Sequence, residues 1–395
     1  MPHRLNKQAK IHMGAYFSGH STSSNYDQER EIQGTTRIES TTRTPLQRVK
    51  DYIREITIVS SVLDSCLSSP ITPRIPSSLR RSSGLAAIAD QAKLNGWYIE
   101  PHEIEFKEQV GQGSTAVIYR GLWKGNVVAV KCIHPEFFYS NDNRVTFFVQ
   151  EIDTLSRQDH PYVLRIMGAC LDPPEFGWMV TEFVSKTLKQ WLHGPDDERR
   201  KERSIPLHPL QERVAKALEI SEAMEYLHGQ NPKLVHRDLK PSNIFLDHEM
   251  HVRVADFGHA RFLEEGDQAQ SGETVNSVSD NIFLLAGTYV HMAPEVIRFE
   301  SYDEKCDVYS YGVVLNELIT GEHPYIETDF GPSKIAVEVG NCKLRPKLPA
   351  ADDGQLKELI ELISLSWAED TKIRPSFSSI TCSLRKIQGM LITTA

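Results

Sequence analysis

The chain has 395 residues, a formal net charge of −9, a hydrophobic fraction of 40% and a charged fraction of 25%. These values are typical of a soluble globular protein made of one large domain with an extension, or of two domains. The negative balance argues against nucleic acid as an obligate partner, because phosphate backbones are bound by clustered Lys and Arg.

Membrane and secretory signals are also missing from the sequence. No apolar run approaches the length of about 18 residues that spans a bilayer, and residues 1–20 contain no apolar core of a secretory signal. The six cysteines are scattered without a CxxC pair, which favours reduced thiols over a disulfide framework or a zinc site. The sequence therefore predicts a cytoplasmic protein without a membrane span.

Residues 1–95 read as an extension rich in Ser, Thr, Gln, Asn and Arg. Its few apolar side chains cannot offset the entropy of ordering the chain, so we expect it to be largely flexible and mostly disordered. Apolar residues recur at helical spacing after Pro45, which predicts a possible helix near 46–64. Such a helix either packs on the following domain or serves in regulation or dimerisation.

From residue 104 the pattern changes to short strands. Strands predicted at 116–120 and 127–131 are joined by a hairpin turn. The first is preceded by Gly-Gln-Gly-Ser-Thr-Ala at 111–116, so a strand stands on each side of the glycines. Dinucleotide-binding folds place such glycines between a strand and a helix. This arrangement instead favours a glycine-rich hairpin that lies over nucleotide phosphates.

Two opposite charges follow this hairpin. Lys131 ends the strand pattern, where a buried lysine is costly unless an opposite charge meets it. Glu151 lies in the segment 145–155, whose apolar residues have helical spacing. Taken alone, each residue reads as a solvated surface charge. Further strands are predicted at 163–167 and 178–184.

The segment His-Arg-Asp-Leu-Lys-Pro-Ser-Asn at 236–243 places polar side chains on a short loop between a helical run at 220–227 and a short strand. Asp238 can accept a proton, and Lys240 can steady a phosphate. Asn243 can ligate a hard cation through its carbonyl oxygen. A loop held between rigid elements is a common position for catalytic groups.

The order of these strings resembles that of protein kinases. The glycine-rich string at 111–116, the strand ending at Lys131 and the loop at 236–243 are followed by Asp-Phe-Gly at 256–258 and Ala-Pro-Glu at 293–295. Residues 104–388 resemble a kinase domain along their whole length. The resemblance implies an α+β, bilobal protein kinase fold, with a small β-rich N-lobe that contains helix C and a larger, mainly α-helical C-lobe. The N-lobe and hinge would occupy 104–184 and the C-lobe 185–388.

Other strings indicate the kinase type. Lys240 and Pro241, together with Gly-Thr-Tyr-Val-His-Met-Ala-Pro-Glu at 287–295, look like the Ser/Thr type. The strings at 167–170 and 307–314 resemble the tyrosine-kinase-like group, in particular the Raf-like kinases of plants.

The resemblance implies ATP and Mg²⁺ as cofactors. Asn243 and Asp256 would be the metal ligands, and Asp238 would orient the substrate hydroxyl and accept its proton. The implied catalytic set is Asp238, Lys240, Lys131, Glu151, Asn243 and Asp256, in which Glu151 pairs with Lys131. The implied nucleotide-binding set is Gly111, Gln112, Gly113, Ser114, Ala116, Ile118, Ala129, Lys131, Thr181, Glu182, Val184 and Phe245. Within it Ala116 replaces the family's third glycine, and Ile118, Ala129 and Phe245 would serve equally as ordinary core residues.

The segment from Asp256 to Glu295 would be the family's activation segment. A phosphate there could pair with Arg237, which implies an upstream kinase or autophosphorylation. Its candidate acceptors are Ser271, Thr274, Ser277, Ser279 and Thr288. Asp307 would brace the catalytic loop, and Arg374 would pair with Glu295.

The resemblance implies a serine/threonine protein kinase that transfers the γ-phosphoryl group of Mg-ATP to protein substrates in a signalling cascade. A dual-specificity kinase and a kinase-fold scaffold without catalysis remain alternatives. The complete set of catalytic residues favours an active enzyme over the scaffold.

Overall fold

The computed structural model describes residues 83–113, 115–138, 144–172, 176–195, 203–263, 288–350 and 356–394. The predicted helix near 46–64, the predicted nucleotide ligand Ser114 and the acceptor candidates between 271 and 279 lie outside the described residues.

The first lobe is built on a five-stranded antiparallel sheet with the order β1-β2-β3-β5-β4. Its β-branched residues fit a half-buried pleated surface, and Val128, Val130 and Val180 are fully buried. Lys124 and Gly125 have φ angles of 49° and 83°, as a tight hairpin turn between twisted strands requires. The strands are β1 (Ile104–Gln112), β2 (Ala116–Trp123), β3 (Asn126–Ile133), β4 (Ile166–Asp172) and β5 (Phe176–Glu182).

Two helices flank this sheet. Helix α1 (Ser83–Leu94) precedes it, and helix α2 (Arg144–Ser156) connects β3 to β4. Helix α1 packs against both α2 and β4, with Leu85, Ile88 and Ala92 buried at helical spacing.

The segment after α1 continues onto the sheet. Tyr98 forms a parallel bridge with Ala169 of β4. The backbone of Ala169 donates to Trp97 O at 3.1 Å and accepts from Ile99 N at 2.9 Å. The sequence predicts a mostly disordered extension over residues 1–95, whereas the structure has a helix over Ser83–Leu94. An apolar stripe with partners in α2 and β4 makes the helix part of the lobe.

The second lobe is mainly helical and surrounds a buried central helix. Nearly the whole length of α6 is buried, from Cys306 to Ile319. None of the helices in the described ranges is long and apolar enough to cross a membrane. The helices are α3 (Leu188–His193), α4 (Leu210–His228), α5 (Pro294–Ile297), α6 (Lys305–Thr320), α7 (Pro332–Gly340), α8 (Lys357–Ser366) and α9 (Phe377–Thr394). The expected bilobal α+β fold is confirmed.

Short strands of the second lobe fix the loops that carry the polar motifs. One small sheet pairs β10 with β7, and the other has the order β6-β8-β9. The loop at 236–243 runs between β7 and β8, and Asp256 follows β9 by two residues. The strands are β6 (Lys186–Thr187), β7 (Lys233–Val235), β8 (Ile244–Leu246), β9 (Val252–Val254) and β10 (Arg261–Leu263).

The contact between the α1 segment and the sheet predicts the effect of a substitution at Gly168. A Cβ there would collide with the carbonyl oxygen of Trp97 and would lie 2.6 Å from Cδ1 of Ile99. We expect Gly168→Ala to lower the free energy of unfolding by about 1–3 kcal/mol, because this crowding forces backbone shifts. Denaturant unfolding of the full chain measures the change.

Gly389→Ala is the matched control, since nothing lies within 4 Å of its Cβ position in α9. Alanine in a helix interior should stabilise it by about 0.5–1 kcal/mol. Equal stability of Gly168→Ala and the wild type would show that the segment at 97–99 does not lie on β4 in solution.

Candidate active site

An ion pair connects the sheet to α2 at the junction of the lobes. The Nζ atom of Lys131 lies 2.6 Å from Oε2 of Glu151, and only 6% of the Glu151 side chain is exposed. Burial alone would lower the pKa of Lys131, but the charges of Glu151 and Asp256 raise it above its ordinary value. Lys131 is therefore held as an ammonium ion by its contact with Glu151, and the charge of Asp256 adds to that effect.

The loop at 236–243 holds one oxygen of Asp238 and leaves the other without a hydrogen bond. Oδ2 accepts from Lys240 Nζ at 2.8 Å and from Asn243 Nδ2 at 2.8 Å. Oδ1 is buried and has no hydrogen-bond partner among the described residues. Burial raises the pKa of Asp238, and the ammonium of Lys240 opposes that rise. A buried carboxylate oxygen without a donor is costly unless a ligand supplies one.

Asp307 of α6 fixes the start of this loop. Its Oδ2 accepts from His236 N at 2.8 Å, and its Oδ1 accepts from Arg237 N at 2.8 Å. The Nε2 atom of His228 lies 2.8 Å from Oδ2. Burial would raise the pKa of Asp307, but these hydrogen bonds and the nearby imidazoles hold it below its usual value.

Asp256 adopts a strained backbone conformation after β9. Its φ and ψ angles are 65° and 69°, a left-handed conformation that costs a non-glycine residue about 1–3 kcal/mol and clusters at functional sites. Burial would raise the pKa of Asp256, but Lys131 and other neighbouring cations lower it below the usual value. Phe257 is fully buried, with its ring 4.9 Å from that of His236.

The predicted nucleotide-binding residues of the first lobe lie along the ends and faces of β1, β2, β3 and β5. Gly111 and Gln112 end β1, and the backbone N–H of Gly113 donates to Ala116 O at 2.9 Å. Ile118 pairs with Gly111 on one side and with Lys131 on the other. Gly111 and Lys131 therefore lie on β1 and β3, the two strands that flank β2.

The remaining predicted nucleotide residues lie where the two lobes meet. Thr181 pairs with Ala129 and is buried. The carboxylate of Glu182 accepts from Arg165 N at 2.8 Å and forms an ion pair with Arg253 at 3.1 Å. Because its side chain is engaged in these contacts, any contact of Glu182 with a ligand falls to its backbone. Val184 and Phe245 are half-buried, with Phe245 on β8.

Two contacts that no sequence motif indicated connect α2 to the segment after Asp256. Gln150 of α2 donates to the carbonyl of Ala260, and the ring of His259 lies 4.8 Å from that of Phe147. Burial lowers the pKa of His259 to about 4, so the imidazole is neutral at pH 7. Gln150 and Ala260 are 110 positions apart, and no local pattern indicates their contact.

Arg237, which was predicted as the partner of a phosphorylated activation segment, is already engaged. Its Nε donates to the carbonyl of His259, and its Nη1 donates to the hydroxyl of Tyr302 at 2.7 Å. The expected pair of Arg374 with Glu295 is present, with distances of 2.6 and 2.9 Å between two nitrogen and oxygen pairs. Both arginines brace the helical lobe.

The family model for the protein kinase domain matches residues 104–384. This chain belongs to the protein kinase family. Three similar proteins are a probable serine/threonine-protein kinase, SIS8, and the serine/threonine-protein kinases STY17 and CTR1, all from Arabidopsis thaliana. Their identities to this chain are 37%, 34% and 34% over 72%, 74% and 80% of its length.

These plant relatives agree with the resemblance to tyrosine-kinase-like, Raf-like kinases. Mouse TNNI3K, a serine/threonine-protein kinase, is 32% identical over 75% of this chain. The chain spans only 25%, 46% and 35% of the lengths of SIS8, STY17 and CTR1, and 32% of mouse TNNI3K. Helix α1 lies before the matched kinase domain.

The anchoring of the catalytic loop by Asp307 predicts a loss of stability and activity in Asp307→Asn. One carboxylate oxygen becomes an N–H donor that faces another donor, so the free energy of unfolding should fall by about 1–3 kcal/mol or more. Denaturant unfolding at pH 7 measures this change. Asp153→Asn, which breaks a half-exposed ion pair with Arg157, should change it by no more than about 0.5 kcal/mol.

The same variant has a pH signature. The pKa of Asp307 is held below its ordinary 3.8, so its ionic contribution is complete above that pH and is lost as the pH falls through the lowered pKa. The difference in the free energy of unfolding between the wild type and Asp307→Asn should therefore become smaller below pH 3.8. A gap that widened with acidity would contradict the role of this carboxylate.

Proposed function

We propose that this chain is a serine/threonine protein kinase that transfers the γ-phosphoryl group of Mg-ATP to Ser and Thr hydroxyls of protein substrates. The observation that carries the proposal is the unequal hydrogen bonding of the two carboxylate oxygens of Asp238. One of its oxygens is held by Lys240 and Asn243, and the other is buried and receives no hydrogen bond from the described part of the chain. A substrate hydroxyl is the donor that fits this oxygen.

The donor set near Asp238 fits a magnesium ion. The amide nitrogen of Asn243 donates to Asp238, which leaves the amide oxygen of Asn243 for a cation. The ionised carboxylate of Asp256 supplies a second hard oxygen ligand, and Mg²⁺ prefers such ligands. A bound magnesium ion would neutralise phosphate charge during transfer.

The protein groups then divide the remaining work. Lys131, fixed by Glu151, orients the nucleotide phosphates, and the absence of side chains at Gly111 and Gly113 lets the backbone of the glycine-rich turn approach them. Asp238 orients the substrate hydroxyl and accepts its proton, while Lys240 offers positive charge beside the transferred group. Positioning and preorganised charge supply most of the acceleration in this reaction class.

The preference for Ser and Thr rests on two supports. Lys240 follows the catalytic aspartate at the position typical of Ser/Thr kinases, and its Nζ lies 2.8 Å from Asp238. STY17 and CTR1 are named serine/threonine-protein kinases, and SIS8 is named a probable one. Phosphoamino-acid analysis of the product separates this reading from dual specificity, which would yield phosphotyrosine as well.

Regulation and location complete the proposal. Phosphorylation of the activation segment, by an upstream kinase or by the chain itself, would add negative charge near Arg237. For a phosphate to pair with the guanidinium, it must compete with the carbonyl of His259 and the hydroxyl of Tyr302.

We place the protein in the cytoplasm of the cell, in a signalling cascade.

Mass spectrometry of the full chain and a mixed-protein substrate after incubation with Mg-ATP tests the function directly. We expect phosphoserine and phosphothreonine in the products. Asp238→Asn should reduce the initial rate by about 10²–10⁴-fold, because it removes the proton acceptor. Asp153→Asn serves as the control with an unchanged rate. Transfer by Asp238→Asn at the wild-type rate would refute the role of Asp238, and no transfer by the folded wild type would favour a scaffold.

Lys131→Met should lose phosphoryl transfer far more than nucleotide binding. Methionine preserves the length of the side chain but removes the charge that orients the phosphates, whereas the adenine contacts remain. The initial rate and the Kd for ATP are to be measured side by side. Lys124→Met, at an exposed turn position, is the control, and a normal rate in Lys131→Met would contradict the proposed orientation of ATP.

A further inference from the structure

A cluster of three histidines surrounds the buried carboxylate of Glu317 in the helical lobe. His193 ends α3, Glu317 lies in the last turn of α6, and His323 follows α6. His291 comes from the turn that precedes α5. The exposed fractions of these side chains are 8%, 3%, 13% and 10% for His193, Glu317, His323 and His291. The kinase mechanism uses none of them.

Two of the imidazoles face the same carboxylate oxygen. Oε1 of Glu317 lies 2.7 Å from Nε2 of His193 and 3.8 Å from Nδ1 of His323. The rings of His193 and His323 are stacked, with centroids 3.7 Å apart and an interplanar angle of 20°. One side-chain nitrogen or oxygen atom from each of His193, Glu317 and His323 lies within 4.8 Å of the other two.

The third imidazole supports the carboxylate from its other side. Nε2 of His291 lies 3.0 Å from Oε2 of Glu317. Burial would raise the pKa of Glu317, but the hydrogen bonds from His193 and His291 lower it to about 2. Oε1 of Glu317 therefore faces ring nitrogens of His193 and His323, and Oε2 faces that of His291.

We propose that His193, His323 and Glu317 form a binding site for a transition-metal ion of the Zn²⁺ type, with His291 as the hydrogen-bond partner of the ligating carboxylate. Two imidazoles and one carboxylate with a remaining open position match a known zinc ligand set. The nitrogen ligands disfavour Mg²⁺ and Ca²⁺, which take oxygen ligands. Hydrogen-bonded partners of metal-bound carboxylates commonly fix their orientation.

Metal binding requires a limited rearrangement. Bonds of about 2.0–2.1 Å place tetrahedral ligand atoms roughly 3.4 Å apart, so the 2.7 Å separation of His193 Nε2 and Glu317 Oε1 must widen, and the 3.8 Å separation of His323 Nδ1 and Oε1 must shorten. The two rings must also rotate out of their parallel stack so that their lone pairs converge. The metal ion would replace the hydrogen bond between His193 Nε2 and Glu317 Oε1. Nε2 of His193 and Nδ1 of His323 would then bind without a proton, and each ring would carry its proton on the other nitrogen.

The ion would connect three separate pieces of the helical lobe. His193 belongs to α3, Glu317 to α6 and His323 to the connection between α6 and α7. The ion would also be linked to the turn at 288–291, because His291 contacts the ligating carboxylate. Ser310 Oγ donates a hydrogen bond of 2.7 Å to the backbone carbonyl of His291 in this turn. This turn leads into Ala-Pro-Glu at 293–295, so the metal would stabilise the end of the activation segment.

Isothermal titration of the chelator-treated full chain with ZnCl₂, in excess Mg²⁺ to occupy oxygen-ligand sites, tests the proposal. We expect binding of one Zn²⁺ that depends on His323, with an affinity at least about 100-fold lower in His323→Ala. Co²⁺ bound in place of Zn²⁺ should give the visible absorption of a tetrahedral site, which is lost in the same variant. His248→Ala, which removes an imidazole whose side chain is 88% exposed, should bind Zn²⁺ as the wild type does.

His291→Ala separates the ligands from their support. Loss of the outer hydrogen bond should weaken Zn²⁺ binding by about 10–100-fold while one ion is still bound. The Tm of each variant in chelator shows whether it folds, and His193→Gln replaces His323→Ala if the latter does not. Zn²⁺ should raise the Tm of the wild type and not that of the ligand variants.

Two results would overturn the site. The first is the absence of a stoichiometric Zn²⁺ in the wild type. The second is undiminished binding in both folded ligand variants, His323→Ala and His193→Gln, which would place the ion elsewhere in the chain. Neither result bears on phosphoryl transfer, because the kinase assay uses Mg-ATP alone.

Discussion

The geometry of the active site depends on the mutual neutralisation of one buried and two half-buried charges where the lobes meet. Lys131 comes from β3, Glu151 from α2 and Asp256 from the segment after β9. A buried charge that loses its partner costs several kcal/mol. Movement of α2 away from the sheet would leave both the ammonium and the Glu151 carboxylate unpaired. The position of α2 is therefore tied to the electrostatics of the nucleotide site, and the contact of Gln150 with Ala260 ties it to the helical lobe as well.

Helix α1 extends this dependence beyond the matched kinase domain. It covers α2 and β4, and its buried Leu85 and Ile88 each contribute up to about 1.5–3 kcal/mol through the removal of apolar surface from water. Residues 97–99 continue as backbone hydrogen bonds to Ala169. The nucleotide lobe thus begins at residue 83 in structural terms. Packing of the segment before residue 104 contributes to the stability of the position of α2.

Sequence patterns predicted the parts of the site that local motifs carry. The strands around the glycine-rich turn and the polar loop at 236–243 follow from spacing and from strings of a few residues, and the pair of Lys131 with Glu151 follows from the kinase resemblance. The unpaired oxygen of Asp238 does not, because it depends on which donors reach the carboxylate in three dimensions. The cluster around Glu317 joins residues up to 124 positions apart, and each histidine alone looks like an ordinary surface or core residue. Helix α1 was missed because its Ala-rich stripe becomes informative only beside α2 and β4.

Helix α6 connects the two polar centres of the helical lobe. Asp307 in its first turn holds the catalytic loop, and Glu317 in its last turn gathers the histidines. At 1.5 Å per residue these carboxylates are about 15 Å apart along the helix axis. The helix is buried along nearly its whole length, and close-packed interiors transmit displacement rather than absorb it. A change in the charge or coordination of Glu317 would therefore act on a rigid element whose other end fixes the backbone of His236 and Arg237, next to the catalytic aspartate.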